Sequence, residues 1–167
     1  MNPPVSDEKT LDVLEYVQML EQVARHCRSE SGADHIRELQ PDPFEVGMRR
    51  ELGLVAEAIE LTLENTPPPW SRIPDVRTAL ARLESEGASI EPRALVDLAS
   101  SVRISGQILS WAIKAKEGRP LLREMLLSLS DLKPIADATA RALDDDGNVR
   151  DSASPELGRV RKRIDVA

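Results

Sequence analysis

The sequence predicts an all-α fold, a multi-helix core bundle with a short turn or hairpin before a C-terminal helix. Three observations predict it. Ala, Leu, Val and Ile carry nearly all the apolar content, aromatics are 2% of residues and charged residues 31%, the balance of helices with one buried stripe and solvated outer faces. Apolar residues recur three or four apart in successive segments, whereas no segment alternates with the period of a strand. Helix-start and helix-stop residues punctuate those segments at the intervals a bundle needs.

Leu11, Leu14, Val17, Leu20, Val23, Ala24 and Cys27 form one stripe on a helix expected over 7–28, with a break near Glu15. Ser29 or Ser31 caps a shorter helix carrying Ile36 and Leu39, which ends before Pro41. Asp42-Pro43-Phe44-Glu45 is a helix start, with Asp at the cap, Pro where its missing N–H costs nothing and Glu placed to close a capping box. Leu52, Val55, Ala56, Ile59 and Leu63 are the inner stripe expected of that helix. Pro67-Pro68-Pro69 must stop it, and Trp70 is expected to plug the core behind them. A helix over 74–84 turns Val76, Leu80 and Leu83 inward and stops at Gly87; a long one follows over 92–116, with Gly106 a weak point or a close crossing. Helices over 121–129 and 132–143 come next, the latter with Ile135, Ala136, Thr139 and Leu143 inside. Ser154 as cap and Pro155 at the first position open a last helix whose inner row is Leu157, Val160 and Ile164. That row breaks off at Ala167 and is expected to need a partner beyond these residues.

The 167 residues suffice for one core, read as a helical domain over 1–153 followed by the start of a helix over 154–167. A net charge of −7 opposes a surface that attracts nucleic acid by its overall field, so any such contact must be local. One cysteine, Cys27, leaves no internal disulfide, and no stretch approaches the roughly 18 apolar residues a membrane span needs, so a cytoplasmic protein without a membrane anchor is expected.

Candidate chemistry is sparse. Asp144, Asp146 and Gly147 sit as in a calcium loop, but its first and twelfth positions would be Ala142 and Ala153, which supply no ligand. His26 and Cys27 are neighbours that point about 100° apart on a helix, and His35 is the only other imidazole, so no metal site or nucleophile pair is expected. No phosphate-binding glycine loop is present. Catalytic, cofactor and metal residues are therefore expected to be none. Arg159, Arg161, Lys162 and Arg163 form the one dense basic patch and are candidate nucleic-acid contacts; the alternative is a charged helix face that is merely solvated or paired.

The stretch LDDDGNVRDSASPELGRVRKRI resembles the segment of the MutS family in which a Gly turn, a short Val-containing hairpin and an Asp-x-Ala-Ser-Pro-Glu-Leu helix start lead into a long lever helix. LEYVQMLEQVARHCRSESGADHIRELQPDP and GASIEPRALVDLASSVRISGQI are similar to the opening helices of its MutS2 branch, in the same order. The resemblance implies a non-catalytic N-terminal core whose elbow residues Gly147, Asn148, Asp151, Ser154 and Pro155 aim the lever helix. It further implies a much longer protein with a clamp, a dimerising ATPase using ATP and Mg, and often a nuclease domain, none of whose motifs occurs here. The partners it implies are branched double-stranded DNA, with suppression of recombination, or stalled ribosomes; the piece alone is expected to be monomeric. A freestanding helical adaptor that binds a protein partner is the alternative.

Overall fold

The structure, a computed structural model, describes residues 7–41, 44–114 and 118–164. It is all-α: α1 (Glu8–Val13), α2 (Tyr16–Ala24), α3 (Glu30–Arg37), α4 (Glu45–Leu63), α5 (Arg77–Leu83), α6 (Pro92–Lys114), α7 (Pro120–Leu127), α8 (Lys133–Ala142) and α9 (Pro155–Ile164). Among the described residues the only extended pairing is an isolated antiparallel bridge between Leu143 and Val149. The chain divides into two compact units, Met1–Arg72 with Ser110–Ser128 and Ile73–Leu109 with Leu129–Ala167, so α6 contributes to both.

In the first unit the opening stripe is broken. Glu15 adopts φ 51, a left-handed conformation that a right-handed helix cannot pass through, so α1 stops and α2 starts around it. The break turns Leu14 and Val17 outward, while Leu20 and Ala24 stay buried where α2 packs on α3. Ser29 caps α3, its hydroxyl accepting from the Gly32 N–H at 3.0 Å. Arg37 reaches Glu21, Glu30 and Asp34, and these carboxylates hold its guanidinium protonated well above its ordinary range. Such exposed pairs are worth little each, so Leu20, Ala24 and Ala33 supply the adhesion here.

The helix α4 begins at Glu45 with Phe44 at the cap; Asp42 and Pro43, the expected cap and first residue, lie outside the described residues. Its buried face is also not the expected one. Leu52, Val55, Ala56, Ile59 and Leu63 face solvent, and the side turned inward carries Gly53, Leu54, Glu57, Ala58 and the buried Leu61. The reason is α7, which packs on α4. The Leu121 methyl lies so close to Gly53 that a Cβ there would come within 2.6 Å of it. The Glu57 carboxylate accepts from the Leu121 N–H at 3.3 Å and the Leu122 N–H at 2.7 Å, capping a helix whose own cap residue, Arg119, has no side chain able to accept. Arg119 returns to α4, pairing with Glu64 at 2.5 Å and Glu60 at 3.8 Å. A cavity of about 360 Å³ opens beside this corner, lined by Leu61, Trp111, Ala112, Arg119, Leu122 and Arg123. Trp70 does not plug the core: it is 42% exposed, and Pro68 is the residue of that run that is buried.

In the second unit α5 starts at Arg77, three residues later than Pro74 suggests, because the Asp75 carboxylate accepts from the Arg77 N–H at 3.1 Å and occupies the turn before it. The Arg77 guanidinium hydrogen-bonded to Asp75 holds that carboxyl down at about 2. Val76 is half-buried, but Leu80 and Leu83 are exposed. The core of this unit is built from Ala99, Ile104 and Ile108 of α6 together with Ala136, Thr139 and Leu143. Thr139 is a buried polar side chain whose hydroxyl donates to the Ile135 carbonyl at 3.0 Å, so its burial leaves no donor unpaired. Ile135 itself is exposed. Gly106 is no close crossing, since a Cβ there would meet nothing within 4 Å.

Candidate functional site

The segment from Leu143 to Ile164 lies wholly in the second unit and forms an elbow followed by a rod. After α8 the chain runs extended at Leu143, turns through Asp144–Asn148 and returns at Val149. Short-range polar bonds make that turn. The Asp144 N–H donates to the Asn148 carbonyl at 2.9 Å and the Gly147 N–H to the Asp144 carbonyl at 3.1 Å. The Asp144 side chain accepts from the N–H groups of Asp146 at 3.0 Å and Asn148 at 2.8 Å, so this carboxylate is committed to backbone donors. Gly147 has φ +87, and it rests against the start of α6: a Cβ there would lie 3.1 Å from the Arg93 nitrogen and 3.3 Å from the Pro92 carbonyl carbon. Arg93 adds a hydrogen bond from its guanidinium to the Asp145 carbonyl at 2.8 Å. Among the described residues no group of three or more His, Cys, Asp or Glu side chains could hold a metal ion.

Hydrogen bonding to the Asn148 backbone N–H is the main reason the Asp144 carboxyl titrates below its usual value of 3.8. The stabilising ionised form is therefore fully present above that value and is lost as pH falls through the lower folded one. In a pH titration followed by NMR, the Asn148 amide shift is expected to move with a midpoint below 3.8, and Asp144→Asn is expected to abolish the movement. A midpoint at or above the ordinary value would show that the turn is not held by this carboxylate.

Beyond the turn, Arg150 secures the return strand: its N–H donates to the Ala142 carbonyl at 2.9 Å and its guanidinium to the Leu143 carbonyl at 2.6 Å. Asp151–Ala153 form one 3₁₀ turn. Ser154 then adopts an extended backbone and its hydroxyl accepts from the Leu157 N–H at 3.1 Å, with Pro155 as the first residue of α9. Ser154→Ala should cost about 1 kcal/mol of local helix stability, read as faster amide exchange at Leu157 with the turn at Asn148 unchanged; unaltered exchange at Leu157 would remove the hydroxyl from that role.

The four basic residues of α9 do not act alike. Arg161 folds back on the elbow, its guanidinium donating to the Val149 carbonyl at 2.9 Å and pairing with the Asp151 carboxylate. Arg159 and Lys162 line an open groove with Asp151, Ser152, Ser154 and Gly158, while Arg163 is exposed and is not among the residues lining it. Of the inner row expected for this helix, Leu157 is half-buried, but Val160 and Ile164 are 42% and 68% exposed.

Comparison with known proteins bears on the whole chain. It is 32% identical over 158 residues to a protein named Endonuclease MutS2 of Solidesulfovibrio magneticus, an alignment covering 95% of this chain and 20% of that protein. Endonuclease MutS2 of Gemmatimonas aurantiaca is 32% identical over 157 residues (92% and 19%), and that of Lactiplantibacillus plantarum 28% over 163 residues (95% and 21%). The chain is MutS2-related. It spans about a fifth of the length of the curated relatives it matches. No protein-family model matches it. In this MutS2-related chain no described helix is long and apolar enough to cross a membrane.

Sequence reasoning missed the residues that position the elbow from a distance. Pro92 and Arg93 lie more than fifty positions before Gly147, and nothing in their local pattern announces that contact. Arg161 is a missed structural residue of a different kind, since the basic run hides which of its members turns inward.

Proposed function

We propose that this chain is a non-catalytic helical core module of a MutS2-like nucleic-acid-handling ATPase, in which the elbow at Gly147–Pro155 fixes the direction of α9. Through that helix the module supports a clamp on branched DNA or a ribosome and passes on the state of the ATPase. The observation that carries the reading is similarity to MutS2 proteins along 95% of the chain, with the elbow inside the matched length. The use made of the acidic side chains agrees with a supporting role: Glu57 caps a helix, Asp144 builds a turn and Asp151 holds Arg161. The relatives are named endonucleases, and cations on α9 without an acidic partner among the described residues fit a polyanionic substrate.

A second reading, a helical adaptor for a protein partner, draws support from the exposed face of α4, where Leu52, Val55, Ile59 and Leu63 are 62%, 55%, 53% and 81% exposed. The two separate in one set of assays on the purified chain. The core-module reading expects no ATP hydrolysis or strand cleavage, together with binding to a branched duplex that weakens steeply with salt. Turnover of ATP or nicking of DNA would end the non-catalytic reading, and no duplex binding at low salt would favour the adaptor.

A further inference from the structure

Within the nucleic-acid reading just given, we infer that the groove between the Asp151–Ala153 turn and α9 is a seat for a single backbone phosphate, held by Arg159 and Lys162 with the Ser152 hydroxyl, and that Arg161 and Arg163 are not part of it.

The argument starts from spacing. Arg159 and Lys162 are three apart on α9, a separation that puts two side chains on one helical face, and both line the same groove of about 400 Å³. Neither makes an ion pair or hydrogen bond among the described residues, so both charges remain available. The acid that lines the groove, Asp151, is already paired with Arg161, which leaves the two free cations without a neutralising neighbour inside it. An anion entering therefore meets two positive charges and displaces no salt bridge among the described residues.

The floor supports the same conclusion. Gly158 lines the groove, and a Cβ there would lie 3.0 Å from the Asp151 carbonyl oxygen. Its lack of a side chain lets the 3₁₀ turn approach the helix. Ser152 is exposed at the rim with no hydrogen bond among the described residues, a hydroxyl free to donate to a phosphate oxygen. The Ser154 hydroxyl, by contrast, is engaged with the Leu157 N–H and serves the helix. Two cations and a hydroxyl around one concavity offer donors to several oxygens of one phosphate.

The test uses the full chain and two probes, inorganic phosphate and a branched DNA duplex, with a duplex RNA of equal length as a third arm. Amide shifts at Ser152 and Gly158 should respond to phosphate and to duplex, and the response should vanish in the double variant Arg159→Ala/Lys162→Ala. The same variant should lower the slope of log affinity against log salt by about 1 to 2, whereas Arg163→Ala should change it less. Preference for DNA over RNA, or the reverse, identifies which backbone supplies the phosphate. Phosphate binding at these amides without duplex binding would uphold the seat and bring down the nucleic-acid reading. Duplex binding that survives the double variant unchanged would overturn the seat and leave that reading standing. No response at these amides to any probe also overturns the seat.

Discussion

Replacing Glu57 by Ala is expected to lower the stability of the first unit by about 1 to 3 kcal/mol, the cost of leaving helix-end donors without an acceptor. The helix α7 has Pro at its first position and Arg at its cap, so its first free N–H groups belong to Leu121 and Leu122. Leu122 is a buried residue, and both N–H groups go to the two oxygens of one carboxylate on α4. Water has poor access to replace that acceptor. The carboxylate also places negative charge at the positive end of the helix, where it is favourable. A fall in melting temperature of roughly 4 to 8 °C corresponds to about 2 kcal/mol in a chain of this size. Glu57→Gln retains one carbonyl acceptor and should lose less. Amide exchange at Leu122 gives the local reading: it should quicken in Glu57→Ala while exchange at Leu143 in the second unit stays as it was. A variant that melts with the parent and protects Leu122 equally would mean that α7 is not capped from α4.

Glu57 also shows why the fold was legible while half of its packing was not. The existence of each helix follows from local signals. Ser29 caps α3, Pro92 opens α6, and the turn residues before α9 stand in order. Burial is decided elsewhere. Residues 52 to 59 of α4 are apolar on more than one side, so periodicity selects the larger residues, Leu52, Val55 and Ile59. The structure turns inward the side that holds the smallest residue, Gly53, and a charged one, Glu57, because the missing side chain lets Leu121 approach and the carboxylate offers one oxygen to each of two N–H groups of α7. Neither reason is visible within α4. In the opening stripe the break near Glu15 is legible, but its left-handed φ, which rotates one helix relative to the next and turns Leu14 and Val17 outward, is announced by no residue type there. At the elbow, local bonds are readable from Asp144, Asn148 and Ser154, since each acts within four positions of itself. The contact of Gly147 with Pro92 and Arg93 is not, since it depends on where the chain has travelled in between.

That contact gives Gly147→Val two independent penalties. The left-handed φ of +87 is one that a β-branched residue strongly disfavours, at about 1 to 3 kcal/mol. The new Cβ would also press on backbone atoms of Pro92 and Arg93 at 3.1 to 3.4 Å, and backbone at the first turn of a helix cannot move aside as a flexible side chain would. Relieving either strain moves the turn off α6 and with it the Arg93 hydrogen bond to the Asp145 carbonyl. Gly147→Ala meets both penalties in smaller measure, since it adds the Cβ without the β-branch, and should be milder. Gly106→Ala serves as the control of opposite sign: the position lies inside α6 with open space for a Cβ, so the exchange should stabilise by about 0.5 to 1 kcal/mol. The expected order of melting temperatures is Gly106→Ala above the parent, then Gly147→Ala, then Gly147→Val. In the valine variant the amide signals of Asn148 and Arg93 should shift together, because one contact joins them. Melting of Gly147→Val at the parental temperature, with those two amides unmoved, would mean that the turn does not rest on α6 and that α9 is aimed by something other than this elbow.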